Sequence, residues 1–383
     1  MGFADLGHLP YPWDTLDDVR ATARAHPDGV VDLSIGTPVD PTPDVVRDAL
    51  VGASDAHGYP LTHGTPALRR AVADWFARRR GVPDVDPAAV LPTVGSKELV
   101  GLLPSLLHLG PGDVVVHPAA AYPTYDVGAR LAGATPLATD DVDAWAGRTD
   151  VRLVWVNSPG NPTGAVSDVA HLRRVVAAAR EIGAVVVGDE CYAELPWDAR
   201  WVGDGGVSRV PSLLDPRVTG GTHEGLLAAY SLSKQSNVAG YRAAFVAGDQ
   251  GLVARLLATR KHLGMIVPAP VQAAMTAALG DDHHVAAQRA VYARRRTALR
   301  GALDAARLAV DGSEAGLYLW ARPAGGSPLE GAGSRELAAW FAARGVLVGP
   351  GEFYGVAGER HVRVALTASD DDVARAVVRI TSA

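Results

Sequence analysis

Between residues 90 and 248 the chain alternates short aliphatic or β-branched runs with stretches whose apolar residues recur every three or four positions. Short apolar runs fit buried strands and the longer periodic stretches fit amphipathic helices, so this segment predicts a mostly parallel sheet covered on both faces. The candidate strands are residues 90–94, 114–117, 135–138, 151–156, 184–188, 226–230 and 243–247, with helices starting near Ser96, Tyr122 and Ser167. Upstream, residues 30–35 read as a short strand ended by Gly36-Thr37-Pro38, and 43–51 as a helix. Thr65 can cap a further helix with Pro66 at its first position; Leu68, Val72, Trp75 and Phe76 share one face before Gly81 stops it. Beyond Pro268, residues 270–279 and 285–306 read as helices, and 316–320, 345–348 and 361–366 as strands of a second, mixed domain. Leu9-Pro10-Tyr11-Pro12-Trp13 reads as an extended arm whose aromatics need a surface, such as another subunit's.

A chain of 383 residues exceeds one typical core, and 48% apolar residues exclude disorder. The formal charge of −6 gives no basic field, so nucleic acid is not an expected partner and a small-molecule site is the default. Cys191 is the only cysteine, which excludes an intrachain disulfide. No basic-then-apolar leader opens the chain and no eighteen-residue apolar stretch occurs later, so a soluble, cytoplasmic protein with no membrane contact is expected. The twelve histidines show no metal-ligand spacing: His57 and His63 flank turns, and His283-His284 lies in an acidic stretch that reads as exposed. No metal is expected.

In parallel sheets ligands bind beyond the carboxyl ends of the strands, so the residues just past each run are the candidates for a site. After residues 90–94 come Gly95, Ser96 and Lys97, where a helix start with free N–H groups suits an anion. After 151–156 comes Asn157-Ser158-Pro159-Gly160-Asn161-Pro162-Thr163-Gly164, a rigid turn that could be a mere connection. After 184–188 come Asp189 and Tyr192, the acid being either a helix cap or a functional group. After 226–230 the chain reads Ser231-Leu232-Ser233-Lys234, with Arg242 before the next run. A lysine desolvated near positive charge becomes a nucleophilic amine, as a Schiff base to an aldehyde cofactor requires, and hydroxyls with a guanidinium suit a phosphate monoester. The competing reading of Lys234 is an exposed lysine in a polar loop.

Taken together, Asn161-Pro162-Thr163-Gly164, Asp189-x-x-Tyr192, Ser231-x-Ser233-Lys234 with Arg242, and Arg363 in His-Val-Arg-Val-Ala-Leu resemble class I/II aminotransferases, over essentially the whole chain. More narrowly, residues 31–40, 94–99 and Arg260-Lys261-His262-x-Gly264-Met265 resemble the bacterial succinyldiaminopimelate aminotransferases of lysine biosynthesis. The resemblance implies an α/β fold of type I, with a large domain at 41–270 built on a mostly parallel seven-stranded sheet. An N-terminal arm and smaller α+β domain would take 1–40 and 271–383. It implies pyridoxal 5'-phosphate as cofactor, an amino donor and a 2-oxo acid acceptor as substrates, and a homodimer with composite sites. Lys234 would carry the cofactor and shuttle the proton, Asp189 would pair with the pyridine nitrogen, and Tyr192 and Asn161 would donate to the phenolic oxygen. Tyr122 would stack on the ring. Gly95, Ser96, Lys97, Ser231, Ser233 and Arg242 would hold the phosphate, with Tyr59 from the other subunit. Arg363 would clamp the substrate α-carboxylate, with Gly36 and Asn161 nearby.

Two rivals share the fold. A cofactor-sensing regulator would need an added DNA-binding domain, for which the residues before Val30 are too few. A β-lyase would use the same lysine and aspartate, and its products, pyruvate and ammonia, would distinguish it. No second arginine for a distal carboxylate stands out; Lys97, Lys261 and Arg260 are the candidates.

Overall fold

Each of the seven candidate runs supplies a strand of one sheet, in the order Val90–Val94, Ala243–Gly248, Leu226–Ser231, Val185–Asp189, Val151–Asn157, Val114–His117, Thr135–Ala138. The structure is a computed structural model, and it describes residues 11–382. Ala243–Gly248 runs antiparallel to both neighbours, and the other strands run parallel. Their carboxyl ends therefore share one edge, and Arg242, at the start of the reversed strand, lies on that edge too.

Apart from the edge strand Thr135–Ala138, which is at most partly buried, the strands read as largely apolar runs because both faces are covered. Val114, Val116, Val154, Val186, Ala228 and Phe245 enter one apolar layer, while Val115, Leu153, Trp155, Val187, Leu227 and Val246 enter the other. The helix Pro66–Arg80 starts as its sequence dictates, with Thr65 Oγ accepting from Leu68 N at 3.1 Å, and ends at Gly81 in the left-handed region. Its Trp75 ring packs 4.4 Å from the Tyr230 ring, which fixes the helix beneath the strand leading to Lys234.

The second sheet is four-stranded and antiparallel, ordered Gly349–Pro350, Val362–Ala365, Tyr318–Pro323, Leu308–Asp311. Residues 345–348 do not form one strand. Val346–Leu347 pairs parallel with Val31–Asp32, and the chain then steps across so that Gly349–Pro350 joins the antiparallel sheet. Leu308–Asp311 escaped the pattern because only its first residue is fully buried.

Two other expectations change. The described part of the expected arm, Tyr11 to Trp13, is not extended: Pro12–Thr15 forms a 3-10 turn and Asp17–Arg24 a helix after it, with Pro12 and the adjacent Asp17 and Asp18 at their starts. Trp13 and Leu16 are buried against Trp320, Phe353 and Tyr354 of the same chain. Leu9 and Pro10 lie outside the described residues. His284 is not exposed either, because its ring bridges Asp281 Oδ2 at 2.9 Å and Ser236 Oγ at 2.7 Å. Among the described residues, no helix is long and apolar enough to cross a membrane.

Candidate active site

Lys234 extends from the turn after Leu226–Ser231 into a cavity of 240 Å³ at the carboxyl edge of the sheet. Its Nζ donates to the Gly36 carbonyl at 2.7 Å. Burial lowers the amine's pKa; Tyr318 and Cys191 oppose that fall, while Arg363 and Arg242 add to it.

Two acids end the Val185–Asp189 strand region, and packing separates their duties. Glu190 is buried away from the cavity, where Ser212 Oγ donates to it at 2.9 Å, Leu213 N at 2.7 Å and Arg80 Nη2 at 3.1 Å. Asp189 faces the cavity. Its Oδ2 accepts from Tyr125 Oη at 2.7 Å and its Oδ1 from Cys191 N at 3.2 Å. Burial, reinforced by the Asp189 charge, pushes the Tyr125 hydroxyl well above its ordinary pKa, so Tyr125 stays a donor and orients the carboxylate.

At the end of Val90–Val94, Gly95 has φ +77°, and a β-carbon there would stand 2.0 Å from Arg242 Nη2. Glycine is required on both counts. The helix Ser96–Leu106 next to it has no side-chain cap, which leaves its first N–H groups open. Ser231 Oγ donates to Ser233 Oγ at 2.8 Å beside them. Open amides, two hydroxyls and a guanidinium form a cup for a dianion.

Arg363, on Val362–Ala365, is fully buried. It donates through Nη1 to Asn161 Oδ1 at 3.1 Å and through Nη2 to the Ser34 carbonyl at 2.7 Å, and its Nε has no protein partner. Asn161 is held by Asn157, whose Oδ1 accepts from Asn161 N at 2.7 Å. Tyr192 packs edge-on to Tyr318, with ring centres 5.8 Å apart. The Lys97 ammonium stands 5.4 Å from the centres of both the Tyr11 and Tyr122 rings.

The cavity thus brings together Gly36, Ser96, Lys97, Tyr122, Asn161, Asp189, Tyr192, Ser231, Ser233, Lys234, Arg242 and Arg363, with Gly95 adjoining. Tyr59 is not among them: it is fully exposed on this chain. Arg260 is unavailable to a substrate, since it is fully buried and donates to Glu98 at 2.5 and 3.0 Å. Lys261 is exposed and does not line the cavity. The sequence reading missed Tyr11, Trp13, Tyr125, Cys191 and Tyr318, which also line it. Tyr125 lies in the first turn of the helix Thr124–Leu131, just past Tyr122, and nothing in its local sequence marks it as a site residue. Tyr318 carries no signal, because its run reads as plain strand.

An amine of lowered pKa, a carboxylate opposite it and a dianion cup fit a pyridine ring that bears an aldehyde and a phosphate monoester.

The family model "Aminotransferase class I and II" matches residues 28–380. The chain is 56% identical over 371 residues to a "probable aminotransferase" of Mycobacterium tuberculosis, covering 97% of this chain and 85% of that protein. It is 54% identical to the 4-dedimethylamino-4-oxo-anhydrotetracycline transaminase OxyQ of Streptomyces rimosus, covering 98% and 100%. Among solved structures, a probable N-succinyldiaminopimelate aminotransferase of Thermus thermophilus superposes with a TM-score of 0.83 at 29% identity, covering 96% of this chain and 99% of that one. The chain belongs to the class I and II aminotransferases, has their type I fold and uses pyridoxal 5'-phosphate to move an amino group between an amino donor and an oxo acceptor.

Proposed function

We propose that Lys234 holds the cofactor covalently and, once displaced by substrate, moves the proton at the substrate α-carbon. The observation that carries this is the partly buried Lys234 amine, lowered in pKa by burial, in one cavity with Asp189 and Arg363. When bound, pyridoxal phosphate supplies the electron sink for the carbanion formed at that carbon. Asp189, oriented by Tyr125, keeps the ring nitrogen protonated. Tyr192 and Asn161 would donate to the phenolic oxygen, and Tyr122 would lie against the ring. Gly95, Ser96, Ser231, Ser233 and Arg242 bind the phosphate. Arg363, with Gly36 and Asn161 beside it, takes the α-carboxylate. We divide the chain into a large unit at 41–270 and a small unit formed by 1–40 and 271–383; two main apolar clusters support two units, although Ala274, Met275, Ala278 and Leu279 pack into the cluster of the large sheet.

The donor we propose is N-succinyl-LL-2,6-diaminopimelate and the acceptor 2-oxoglutarate. The family resemblance, the likeness to the Thermus thermophilus protein and a second cavity support this. That cavity, of 1320 Å³, shares Tyr11, Trp13, Lys97, Tyr122 and Arg242 with the Lys234 pocket and gives a long donor room beyond the α-carbon. Its aromatic walls, Trp13, Tyr122, Phe353 and Tyr354, equally suit a ring-bearing oxo substrate like that of OxyQ. Lys97, at the junction, is the cation assigned to a distal carboxylate. Lys97→Met should raise KM for the succinylated donor roughly 10- to 150-fold, the worth of one charge-assisted contact of about 1.5–3 kcal/mol, while alanine turnover barely changes. Equal losses on both donors would make Lys97 a phosphate ligand. No glutamate from the succinylated donor would reject this substrate and leave the aminotransferase intact.

We also propose a homodimer in which Tyr59 of one subunit completes the phosphate cup of the other. Its full exposure, in a turn remote from its own chain's cavity, supports this. Hybrids of Lys234→Ala and Tyr59→Ala subunits would carry both lesions at one site and neither at the other. Their tight cofactor binding and activity should return to about half the wild-type value. Hybrids no better than the Tyr59→Ala parent would sink the shared site.

A further inference from the structure

Tyr318 opens the strand Tyr318–Pro323 and sits diagonally from Arg363 on one face of the small sheet, since Tyr318 pairs with Ala365 and Trp320 with Arg363. The guanidinium carbon of Arg363 stands 3.9 Å from the centre of its ring. At the far end of that ring, the hydroxyl lies 3.4 Å from Tyr192 Oη. A β-carbon on Gly36 would come within 2.1 Å of the same hydroxyl. Gly36 is also the residue whose carbonyl accepts from Lys234 Nζ at 2.7 Å. One buried side chain therefore touches both the cation assigned to the substrate carboxylate and the backbone that holds the amine.

We propose, on the roles given above to Lys234 and Arg363, that Tyr318 is a positioning residue for transamination. Its ring is the platform for the Arg363 guanidinium, and its hydroxyl, wedged between Tyr192 and Gly36, fixes the seat of the Lys234 amine. Gly36 is glycine because any side chain would displace that hydroxyl.

The electrostatics agree with the contacts. Burial would raise the pKa of the Tyr318 hydroxyl, but Arg363 and Lys234 beside it, together with the Tyr192 contact, outweigh burial and lower it. Reciprocally, Tyr318 is the strongest influence favouring positive charge on Lys234. The other titratable groups facing it are Tyr192, Tyr354 and Tyr292, on three further elements. By contrast, burial and then Tyr318 itself push the Tyr192 hydroxyl up.

The cofactor-loaded full chain tests this with two variants. Tyr318→Phe keeps the platform and removes the hydroxyl. KM for amino donors should stay within twofold, kcat should fall about tenfold, and the pH midpoint of the cofactor's visible absorbance should move down by about half a pH unit or more. Tyr318→Leu removes both features and should in addition raise KM for every α-amino donor by about tenfold or more. A merely structural tyrosine would leave the midpoint where it is. An unchanged midpoint and kcat in the Phe variant would overturn the role of the hydroxyl, and an unchanged KM in the Leu variant that of the platform. Should the Leu variant not fold, the Phe variant decides. Borohydride reduction of the wild type separates this from the underlying assignment: a label anywhere but Lys234 removes that assignment, whereas a label at Lys234 with an indifferent Tyr318→Phe removes only the present proposal.

Discussion

Lys234→Ala is expected to lose covalent attachment of the cofactor altogether and to lower turnover by about 10²–10⁴-fold or more, the range that a positioned general acid and base supplies. Reduction with borohydride and peptide mapping should label Lys234 in the wild type and nothing in the variant. The same lysine carries a cost that can be measured without any cofactor. Its folded-state pKa is lowered from 10.5, first of all by burial. The unfolded chain therefore binds the proton more readily, and stability rises with pH between the folded and the unfolded pKa. Below the folded pKa the penalty for burying the cation is fully present. Lys234→Met in the cofactor-free protein should accordingly melt higher than wild type at neutral pH, with the gain shrinking as pH approaches 10.5. A variant that melts lower throughout, or a label on another lysine, would end the assignment. The strain of holding a buried amine is a stability loss kept at a functional position.

The large sheet was legible in the sequence because parallel strands covered on both faces must be short, continuous and apolar, and little else in a chain looks like that. The helix Pro66–Arg80 was legible for a different reason, since Thr65, Pro66 and Gly81 punctuate it locally. Legibility faded where burial comes from one side. Leu308–Asp311 and Asp17–Arg24 are partly exposed, and their patterns are diluted by polar residues. Within the site, residues at strand ends stood out because small and polar types interrupt apolar runs, as at Gly95-Ser96 and Ser231-x-Ser233-Lys234. Tyr318 and Tyr125 did not, because a tyrosine inside a strand or a helix is ordinary until tertiary packing aims its hydroxyl. The separation of Asp189 from Glu190 belongs to the same class. Adjacent in sequence, they differ only because Arg80, Ser212 and Leu213, distant along the chain, capture one of them.

Arg363→Lys should lower kcat/KM for every α-amino donor by roughly 30- to 5,000-fold, as expected when a buried, hydrogen-bonded charge contact worth about 2–5 kcal/mol is lost. The geometry says why lysine is no substitute. Arg363 spends Nη1 on Asn161 and Nη2 on the Ser34 carbonyl, lies over the Tyr318 ring at 3.9 Å, and still keeps Nε free of any protein partner. An ammonium can neither stack in this way nor offer a planar fork to a carboxylate while anchored on two sides. The control is a primary amine lacking the α-carboxylate. Against such a donor the variant and the wild type should react at similar, slow rates, because the contact being removed is one that this donor never makes. On the roles proposed above, the cofactor's visible absorbance should change little, since lysine keeps the positive charge beside Lys234 and the phosphate cup is left intact. If the variant lost the amine reaction in the same proportion as the amino acid reaction, Arg363 would be supporting Asn161 and the cofactor, and carboxylate recognition would have to lie elsewhere in the cavity. A loss confined to amino acids, together with a KM rise shared by short and long donors, would place the α-carboxylate on Arg363 and leave donor choice to the cavity beyond Lys97.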